Sequence, residues 1–527
     1  MTNMSIGKQL QTGTGILAVL VLTFPWLNPV ANGPYPAAIP WLTSMASVGL
    51  FLLLITIRRI ALVPVLAVAW MSAALISSGF GLLQYAGAIT APGTWINGTV
   101  AGEAFANLRQ RNQFATLLNI GLVALLYCVG IRSNRAASGS ERPTVAAPSW
   151  MRMVCPVAAA TLLGAGLAAS SSRTGMLQLG LLPGLLLAWR CWHRKPVRWT
   201  LLSGMSAYLL AAYLLPRLSG LDPATSGILA RLQAGDPACS SRLVLWGNVL
   251  DLIAAKPWSG WGWGELDYAH FMTLYSGARF CDILDNAHNL PLQLAVELGV
   301  PFAFVVCVWT AWSIGRAVPW REANPARQLA WAVLFLILLH SLLEYPLWYG
   351  PFQISAALCV WVLWSTRSRA VHAGPAGLTR SPGGVWIGPG SARLGALTAC
   401  MGMAILLAAG YALWDYRRVS QIYLTTSQRA PAYRDNTFEK VRGSWLFGRQ
   451  VRFAELTTTE VTPENAAHLH AMAQELLHFS PEARVVEKLI ESAELLGRGD
   501  EAAAYRLRYR AAFPAAYAQW VKAREPL

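Results

Sequence analysis

Charge is the property that this chain most lacks. Only 13% of its 527 residues are Asp, Glu, Lys or Arg, whereas a soluble protein of this size carries roughly twice that fraction. Hydrophobic residues make up 55% of the chain, and its mean hydropathy is +0.40. This composition excludes an ordinary soluble protein and predicts a chain that is largely embedded in a membrane.

Motifs for nucleotides and metals are missing as well. The sequence has no Walker A loop, no glycine pattern of a dinucleotide-binding fold, and no Cys or His spacing typical of a metal site. An ATP-driven pump is therefore disfavoured, and we expect neither a metal nor a cofactor. The inverted halves with broken helices that are typical of secondary transporters are not evident either.

Apolar runs of about 20 residues recur along the chain, and each can cross a bilayer as a helix. We therefore predict an all-α polytopic membrane protein with about eleven transmembrane helices. Their expected positions are 14–31, 38–57, 60–86, 113–131, 152–169, 175–190, 199–215, 290–312, 328–345, 350–365 and 394–413. The first run is too long for a cleavable signal peptide, and no small-residue cleavage site follows it.

Basic residues concentrate in alternate loops, and this asymmetry orients the chain. Arg58, Arg59, Arg194 and Lys195 are examples from the basic set of loops. By the positive-inside rule, the N-terminus is cytoplasmic and the C-terminus is periplasmic. In a bacterium the outer side is the periplasm, so the expected location is then the inner (cytoplasmic) membrane, with any site on the outer face open to the periplasm. The net charge of +16 then meets anionic membrane lipid and requires no nucleic acid.

The chain divides into two predicted domains. Residues 1–413 form the membrane body, which includes one long periplasmic loop at 216–289. Residues 414–527 are richer in Ala, Glu and Arg and show helical periodicity through 463–478, 482–496 and 500–512, so we expect a small periplasmic α-helical domain there. Its helix pair at 463–496 is similar to a tetratricopeptide-type hairpin.

His288 is the leading candidate for chemistry. It lies in the segment 285–289, directly before an apolar helix, at the predicted boundary between water and lipid. Histidine alone has an unperturbed pKa near neutrality, so it suits a general base. Asn286 and Asn289 are expected to support it. His340, within a predicted span, either joins the site or bonds a neighbouring helix.

Three arginines on the predicted periplasmic face suit a substrate that carries phosphate. Arg173 occupies a very short turn between two spans, and Arg242 precedes a helix-like stretch of the long loop. Arg111 clusters with Gln113 at the start of the fourth span. A guanidinium binds phosphate oxygens bidentately and stays charged at any working pH. Together the three arginines favour a diphosphate as the ligand. Arg173 considered alone fits equally well a side chain that extends to a lipid headgroup.

Three further residues are candidates for binding an acceptor or supporting the site. Glu344 and Tyr345 lie at the outer end of the ninth span. A carboxylate near the membrane boundary should have a partner, for which an arginine is the obvious choice. Trp263, in a turn rich in Trp and Gly, either stacks on a sugar ring or anchors the loop at the interface.

The long loop also contains two cysteines and a second histidine. Cys239 and Cys281 lie in an oxidising place, so we predict that they form a disulfide. His270 is flanked by Ala269 and Phe271 and is interpreted as structural.

Six motifs, in this order, resemble the O-antigen ligase superfamily, and in particular its PglL-like bacterial O-linking oligosaccharyltransferases. The motifs are Arg-Gln-Arg-Asn-Gln at 109–113, Ser-Ser-Arg-Thr-Gly at 171–175, Ser-Arg-Leu-x-x-Trp at 241–246, Gly-Trp-Gly-Trp-Gly at 260–264, Asp-Asn-Ala-His-Asn at 285–289 and His-Ser-Leu-Leu-Glu-Tyr-Pro-Leu-Trp-Tyr at 340–349. The helical tail is also similar to the C-terminal region of that branch.

The resemblance implies a metal-independent enzyme that transfers a glycan from undecaprenyl diphosphate to a hydroxyl. The implied acceptor is a Ser or Thr of a periplasmic or pilin-like protein, or lipid A-core. Carried over by motif, His288 is the base, Arg173 and Arg242 hold the diphosphate, and Gln113 lines the site. Either Tyr345 or Glu344 completes it. A one-step displacement would invert the anomeric centre, and it requires His288, Arg173 and Arg242 to meet in one cavity.

Three other functions remain open at this point. A ligase that attaches glycan to lipid A-core would use the same chemistry. A polymerase that joins repeat units usually has two arginine-rich external loops, whereas this chain has one long loop. A transporter of lipid-linked glycan would need polar residues along many spans, and these spans are largely apolar.

Overall fold

The computed structural model describes residues 13–28, 37–91, 96–137, 151–235, 239–371, 386–388 and 391–524. These residues form two compact units. The first contains the described residues up to Gly235 together with those of Ile314–Gly410. The second contains the described residues between 236 and 313 together with those of Tyr411–Leu527. Residues of the long predicted loop therefore fold with the C-terminal segment in one unit.

Helices account for nearly all of the regular structure in the described ranges. The helices up to residue 235 are α1 (Gly13–Leu27), α2 (Ala38–Ile57), α3 (Leu62–Tyr85), α4 (Arg111–Ala137), α5 (Met151–Ala169), α6 (Arg173–Ala188), α7 (Lys195–Leu218) and α8 (Gly227–Ala234). Those that follow, up to residue 420, are α9 (Arg242–Ala255), α10 (Leu266–Met272), α11 (Leu290–Leu298), α12 (Val300–Ala317), α13 (Pro325–Ser341), α14 (Gly350–Val371) and α15 (Ala392–Ser420).

The C-terminal part of the chain continues with shorter helices. They are α16 (Thr437–Val441), α17 (Gly448–Thr458), α18 (Ala466–Leu477), α19 (Ala483–Leu495), α20 (Gly499–Ala512) and α21 (Pro514–Arg524). The helices expected at 463–478, 482–496 and 500–512 correspond to α18, α19 and α20. One antiparallel pair of two-residue strands, β1 (Ile60–Ala61) and β2 (Trp386–Ile387), is the exception to the helical structure.

Six helical segments among the described residues are long and apolar enough to cross a membrane. They are Ala38–Ile57, Leu62–Tyr85, Arg111–Ile131, Lys195–Leu218, Val300–Arg321 and Ala392–Tyr423. Three shorter apolar helices are Gly13–Leu27, Met153–Ala169 and Pro325–Ser341. The chain is thus an all-α membrane protein. The count of eleven spans, the cytoplasmic N-terminus and the periplasmic C-terminus stay predictions.

The prediction of a single span at 290–312 is wrong, because two helices, α11 and α12, occupy these residues. The first, α11, ends at Leu298, and Gly299 separates it from α12. Gly299 has a φ of +87°, and a Cβ there would lie 2.2 Å from the carbonyl oxygen of Trp258. Only glycine fits such a backbone at such a close approach. The candidate span therefore begins at Val300, and the helix next to His288 is a separate element.

The core of the first unit is built around α3 and α4. Leu117, Leu118 and Ile120 of α4 are fully buried among apolar neighbours. Elsewhere in this unit, α5 and α7 approach so closely that a Cβ on Gly164 would lie 2.1 Å from the carbonyl oxygen of Gly204. Small residues at a helix interface permit this kind of backbone approach, so α5 and α7 are in close backbone contact.

The second unit has an apolar cluster that joins segments distant in sequence. Phe271 of α10 is buried together with Leu469 of α18 and Leu489 of α19. The backbone carbonyl of Met272 also accepts a hydrogen bond from Arg508 Nε at 3.0 Å. The C-terminal helices therefore pack directly on the segment that contains the Gly-Trp-Gly-Trp-Gly and Asp-Asn-Ala-His-Asn motifs.

Candidate active site

Polar side chains from three helix ends meet within the first unit. The first turn of α4, the N-terminus of α6 and the residues after α13 contribute them, and all three carry motifs singled out in the sequence. Glu344 is the centre of the group and is only 3% exposed. It accepts a hydrogen bond from Gln110 Nε2 at 3.0 Å and another from Asn112 Nδ2 at 2.7 Å. Glu344 thus bonds two amide donors, and an arginine partner for it stays a prediction.

Asn112 extends this hydrogen-bonded chain to the helix that begins with Arg173. Its Oδ1 accepts a hydrogen bond from Ser172 Oγ at 2.6 Å. Ser172 is the N-cap of α6, and its Oγ accepts from the N–H of Gly175 at 2.9 Å. An N-cap fixes where a helix starts. The half-buried Arg173 is therefore the first helical residue of an element tied, through Asn112, to Glu344.

A second polar group lies one turn deeper in the same unit. His340 is fully buried, and its Nδ1 lies 3.0 Å from Thr116 Oγ1. Thr116 also donates to Gln178 Oε1 at 3.2 Å, and Asn119 Nδ2 donates to the same oxygen at 3.2 Å. The ring of His340 packs edge-on against Phe352, with centroids 5.8 Å apart. His340 therefore connects α13 to α4 and, through Thr116, to Gln178 of α6. This contact fits the structural role considered for it, and its participation in the site stays a prediction.

Gln113 and Arg111 have contrasting environments. Gln113 is fully buried, and within the described residues neither atom of its side-chain amide has a hydrogen-bond partner. A buried amide without partners is costly, so this position favours a polar ligand. Arg111 forms an ion pair with Glu103 at 3.2 Å, and both side chains are about one-third or more exposed. Tyr345 is half-buried and stacks with Tyr349, with ring centroids 6.2 Å apart.

His288 lies in a rigid backbone segment of the second unit. Its φ is +50°, a left-handed conformation that costs a non-glycine residue roughly 1–2 kcal/mol. Its own N–H donates to Asn286 Oδ1 at 2.9 Å, and the N–H of Ala287 donates to Gln293 Oε1 at 2.6 Å. Asn289 is the N-cap of α11 and accepts from Leu292 N at 3.0 Å. The predicted supporting roles of Asn286 and Asn289 are thus backbone roles.

Arg242 belongs to a helix that is bonded to this same segment. Ser241 caps α9 by accepting from Val244 N at 3.3 Å, and Arg242 is the first helical residue. One turn later, Trp246 Nε1 donates to the carbonyl oxygen of Ala287 at 3.0 Å. The beginning of α9, with its half-buried arginine, is therefore fixed to the residue next to His288.

The Gly-Trp-Gly-Trp-Gly segment lies along the end of α11. The N–H groups of Trp261 and Gly262 donate to the carbonyl oxygens of Val296 and Glu297 at 2.9 and 3.0 Å. Gly264 N–H donates to Glu297 Oε1 at 2.8 Å. Trp263 is 63% exposed. Its ring is thus presented outward by a backbone that is held in place, which suits either role considered for it.

Two ionisable groups near this segment have strongly perturbed pKa values. Burial, with a smaller effect from the cation Arg279, lowers the pKa of His270 to about 3. His270 Nδ1 lies 2.8 Å from Tyr275 Oη, and its Nε2 lies 3.2 Å from the carbonyl oxygen of Phe280. Burial also raises the pKa of Asp267 to about 7. Such bonds on both ring nitrogens fit the structural role predicted for His270.

Three other residues of the loop hold it together. Arg279 donates to the carbonyl oxygens of Thr273 and His270, both at 2.8 Å. Cys239 and Cys281 are joined by a disulfide, with a Cα–Cα distance of 5.4 Å. The predicted pairing is thus present, and it closes the part of the chain that contains α9 and α10.

The motifs therefore form two groups, each within one unit. Arg111, Gln113, Arg173, His340 and Glu344 belong to the first group. The second is formed by Arg242, Trp263, Asn286, His288 and Asn289. The meeting of Arg173 with His288 and Arg242 stays a prediction.

Several residues that hold these groups were given no role of their own from the sequence, although four of them lie within the motifs. They are Gln110, Asn112, Ser172, Thr116, Gln178, Trp246 and Gln293. Isolated amides in an otherwise apolar helix, such as Gln178 in α6, are the signal that would have found some of them, because polar groups inside membrane helices need partners.

Three family models match this chain, and they match it in separate stretches. A model described as protein glycosylation ligase matches residues 104–127. A model described as O-antigen ligase matches residues 158–307, which include Arg173, Arg242 and His288. A model described as the C-terminal part of a virulence factor membrane-bound polymerase matches residues 328–527.

Two relatives of known name are similar to the chain, and both come from Acinetobacter baylyi. A general O-oligosaccharyltransferase is 25% identical over 300 residues, which cover 54% of this chain and 47% of the relative. A ComP-specific O-oligosaccharyltransferase is 24% identical over 265 residues, which cover 50% and 44%. This chain thus spans about half the length of the curated relatives it matches, and no solved structure matches it. The chain is thus similar in sequence to O-antigen ligases and to O-oligosaccharyltransferases, in agreement with the resemblance of its motifs.

Proposed function

We propose that this protein transfers a glycan from undecaprenyl diphosphate to a hydroxyl group, most often a Ser or Thr of a periplasmic or pilin-like protein. The names of both relatives support transfer of an oligosaccharide to an oxygen acceptor. A multi-pass chain gives such an enzyme access to a lipid-linked donor within the inner membrane, and a periplasmic site gives it access to the acceptor.

The observation that carries this proposal is the fixed placement of His288. Its strained backbone is held by side chains on both sides, and the helix that begins with Arg242 is bonded to the neighbouring carbonyl. Strain that is maintained by surrounding bonds is typical of functional positions. A half-buried histidine beside a helix that starts with arginine combines a proton acceptor with an anion-binding group.

The chemistry that we propose is a single displacement. His288 removes the proton from the acceptor hydroxyl as its oxygen attacks the anomeric carbon, and the bond between that carbon and the diphosphate oxygen breaks. The new glycosidic bond is formed with inversion, the proton stays on His288, and the lipid diphosphate leaves. A positioned base contributes roughly 10²–10⁴-fold to such a step.

Arginines stabilise the leaving group in this scheme. Negative charge on the diphosphate increases as the bond breaks, so a preorganised cation binds the diphosphate more strongly in the transition state than in the ground state. We propose Arg242 and Arg173 for this role and the buried amide of Gln113 for a polar contact with the donor. Tyr345 and Trp263 are proposed to contact sugar or acceptor.

A second candidate function is joining of glycan repeat units to each other. The observation in its favour is the match of residues 328–527 to a family described as a membrane-bound polymerase. The two functions differ only in the acceptor, which is a protein hydroxyl in one and the sugar of a second lipid-linked glycan in the other. Ligation to lipid A-core is the third acceptor to be compared.

The test is a transfer assay with the full chain in detergent, without an ion gradient. A lipid-linked donor is offered together with a pilin-like protein, with lipid A-core, or with a second lipid-linked glycan. We expect glycan on the pilin-like protein, and we expect His288→Asn to lose transfer by roughly 10²-fold or more. Asparagine tolerates the left-handed backbone of position 288, so the loss then reports the missing base.

The matched control is His468→Ala, which removes an exposed histidine from α18 in the same unit. We expect it to keep normal transfer. A His288→Asn variant with near-normal transfer would remove the base assignment, and product only on lipid A-core or on a second glycan would replace the protein acceptor.

A further inference from the structure

One face of α15 changes character towards its C-terminal end. Leu407, Tyr411, Trp414 and Arg417 are all exposed and are spaced by four, three and three residues, so they share a face of the helix. Their order is aliphatic, aromatic, aromatic and basic. The same order is found on passing from the hydrocarbon core of a bilayer, through its interface, to the lipid headgroups. The candidate span Ala392–Tyr423 includes all four residues.

A loop of the second unit places another aromatic residue beside this face. Trp445, between α16 and α17, is 80% exposed, and the next residue, Leu446, is 42% exposed. The ring centroid of Trp445 lies 6.4 Å from that of Tyr411. Two adjacent apolar side chains that point away from the protein are unusual in a loop, and these lie level with the aromatic residues of a candidate span.

The loop is held at this position by a buried carboxylate. Asp415 is fully buried, and its Oδ2 accepts from Ser444 Oγ at 2.8 Å and from Leu446 N at 3.2 Å. Its Oδ1 accepts from Arg418 at 2.8 Å. Since a buried charge is tolerated only with such partners, these bonds fix both sides of Trp445. The exposure of this tryptophan is therefore built into the fold.

Two basic side chains follow the aromatic residues in the sequence, Arg417 three residues after Trp414 and Arg449 four residues after Trp445. Arg417 and Arg449 are exposed, and among the contacts of the described residues neither forms an ion pair with a carboxylate. Arg442, by contrast, is paired with Glu455 at 2.8 Å. Arginine next to interfacial aromatic residues favours anionic lipid headgroups. The surface formed by Trp445, Leu446, Arg417 and Arg449 thus has an apolar part and a cationic part.

We propose that this surface is a membrane contact, in which Trp445 and Leu446 enter the bilayer interface beside α15 while Arg417 and Arg449 bind anionic phospholipid headgroups. The partner is an anionic lipid leaflet, because the surface continues the face of a candidate membrane span. The candidate span already connects the C-terminal helical segment to the membrane. The proposed contact is a second attachment, at the beginning of that segment. It does not depend on the proposed glycan transfer.

The test places a photoreactive phenylalanine analogue at position 445 of the full chain. The protein is reconstituted in vesicles of equal phosphatidylglycerol and phosphatidylcholine, irradiated, and examined by mass spectrometry for lipid adducts. Position 407 on the exposed face of α15 is the positive control, and position 507, an exposed leucine of α20, is the negative control. We expect lipid adducts at positions 445 and 407, and at least roughly ten-fold fewer adducts at position 507 than at position 445.

Two further variants separate the parts of the proposal. Arg417→Gln with Arg449→Gln should lower the preference of the adducts for phosphatidylglycerol by roughly five-fold per arginine. Ser444→Ala and Asp415→Asn, which weaken the hold on the loop, should lower adducts at 445 and leave those at 407 unchanged. Either variant suffices if the other fails to fold.

Other outcomes would overturn the proposal. Position 445 without lipid adducts, while position 407 has them, would show that the loop does not reach the bilayer. Adducts at 445 with protein would show that a partner protein or a second copy covers this surface. Equal labelling of both lipids, unchanged by the arginine substitutions, would remove the headgroup contact.

Discussion

Ser172→Ala tests the hydrogen-bonded chain that positions Arg173. The hydroxyl of Ser172 is 2% exposed and makes two bonds, one to Asn112 Oδ1 at 2.6 Å and one from Gly175 N at 2.9 Å. Loss of an N-cap costs about 1 kcal/mol. Loss of the bond to the half-buried Asn112 costs roughly 0.5–1.5 kcal/mol more. The start of α6 should therefore open more easily by roughly 1–3 kcal/mol.

Hydrogen exchange measures this opening directly. A cost of roughly 1–3 kcal/mol corresponds to exchange that is faster by roughly 5- to 100-fold, and peptides covering residues 170–178 should show it. Transfer should fall by roughly ten- to a hundred-fold, because a displaced cation no longer meets the diphosphate in the required geometry. The affinity for acceptor should change little, since neither Ser172 nor Asn112 is proposed to contact it.

The control is Ser203→Ala in α7. Ser203 Oγ donates only to the carbonyl of Thr200, at 2.9 Å within its own helix, so exchange and transfer should stay close to those of the unchanged protein. If Ser172→Ala behaves like this control in both measurements, the chain from Glu344 to α6 does not position Arg173, and the reasoning is refuted.

Two more predictions concern the second unit. Replacing Cys239 and Cys281 by serine removes a cross-link between residues 42 apart. This should destabilise the loop by roughly 3–4 kcal/mol and increase its cleavage in limited proteolysis. Unchanged resistance of the loop to the protease would contradict this prediction. Because burial lowers the pKa of His270 from 6.5 to about 3, its contribution to stability is lost as the pH falls from 6.5 towards 3. Burial raises the pKa of Asp267 from 3.8 to about 7, so its contribution is lost as the pH rises through that range. The effects of His270 and Asp267 on stability oppose each other between pH 4 and 6.5. Asp267→Asn removes the second effect, so the stability of this variant should fall with falling pH by roughly 1.4 kcal/mol per pH unit. Hydrogen exchange of peptide 266–281, corrected for intrinsic rates, measures this change, and a flat pH profile in the variant would refute the assignment.

Local features of the fold could be predicted from the sequence. The helix-like stretch expected from Ser241 corresponds to α9, because a serine N-cap followed by apolar residues at helical spacing is a signal contained in a few neighbouring residues. The three helices expected in the C-terminal segment correspond to α18–α20 for the same reason. Recurring apolar runs of about 20 residues likewise predicted a membrane protein.

Long-range polar contacts could not be predicted in this way. Glu344 accepts from Asn112, which is 232 residues away, and the sequence did not point to this amide as its partner. Amides leave no periodic signal, so nothing local shows which one a carboxylate will meet. The break at Gly299 was missed because apolar residues continue on both sides of it, and hydropathy does not report a backbone angle.

The second unit has a consequence for how the protein is made. Phe271 packs against Leu469 and Leu489, which leave the ribosome about 200 residues later. At about 5–20 residues per second, the segment that contains His288 waits on the order of 10–40 s before its packing partner exists. During that interval Phe271 and its neighbours have no C-terminal helices to cover them, so shortened products that end before α18 should be substrates for chaperones and proteases even when every membrane helix has been inserted.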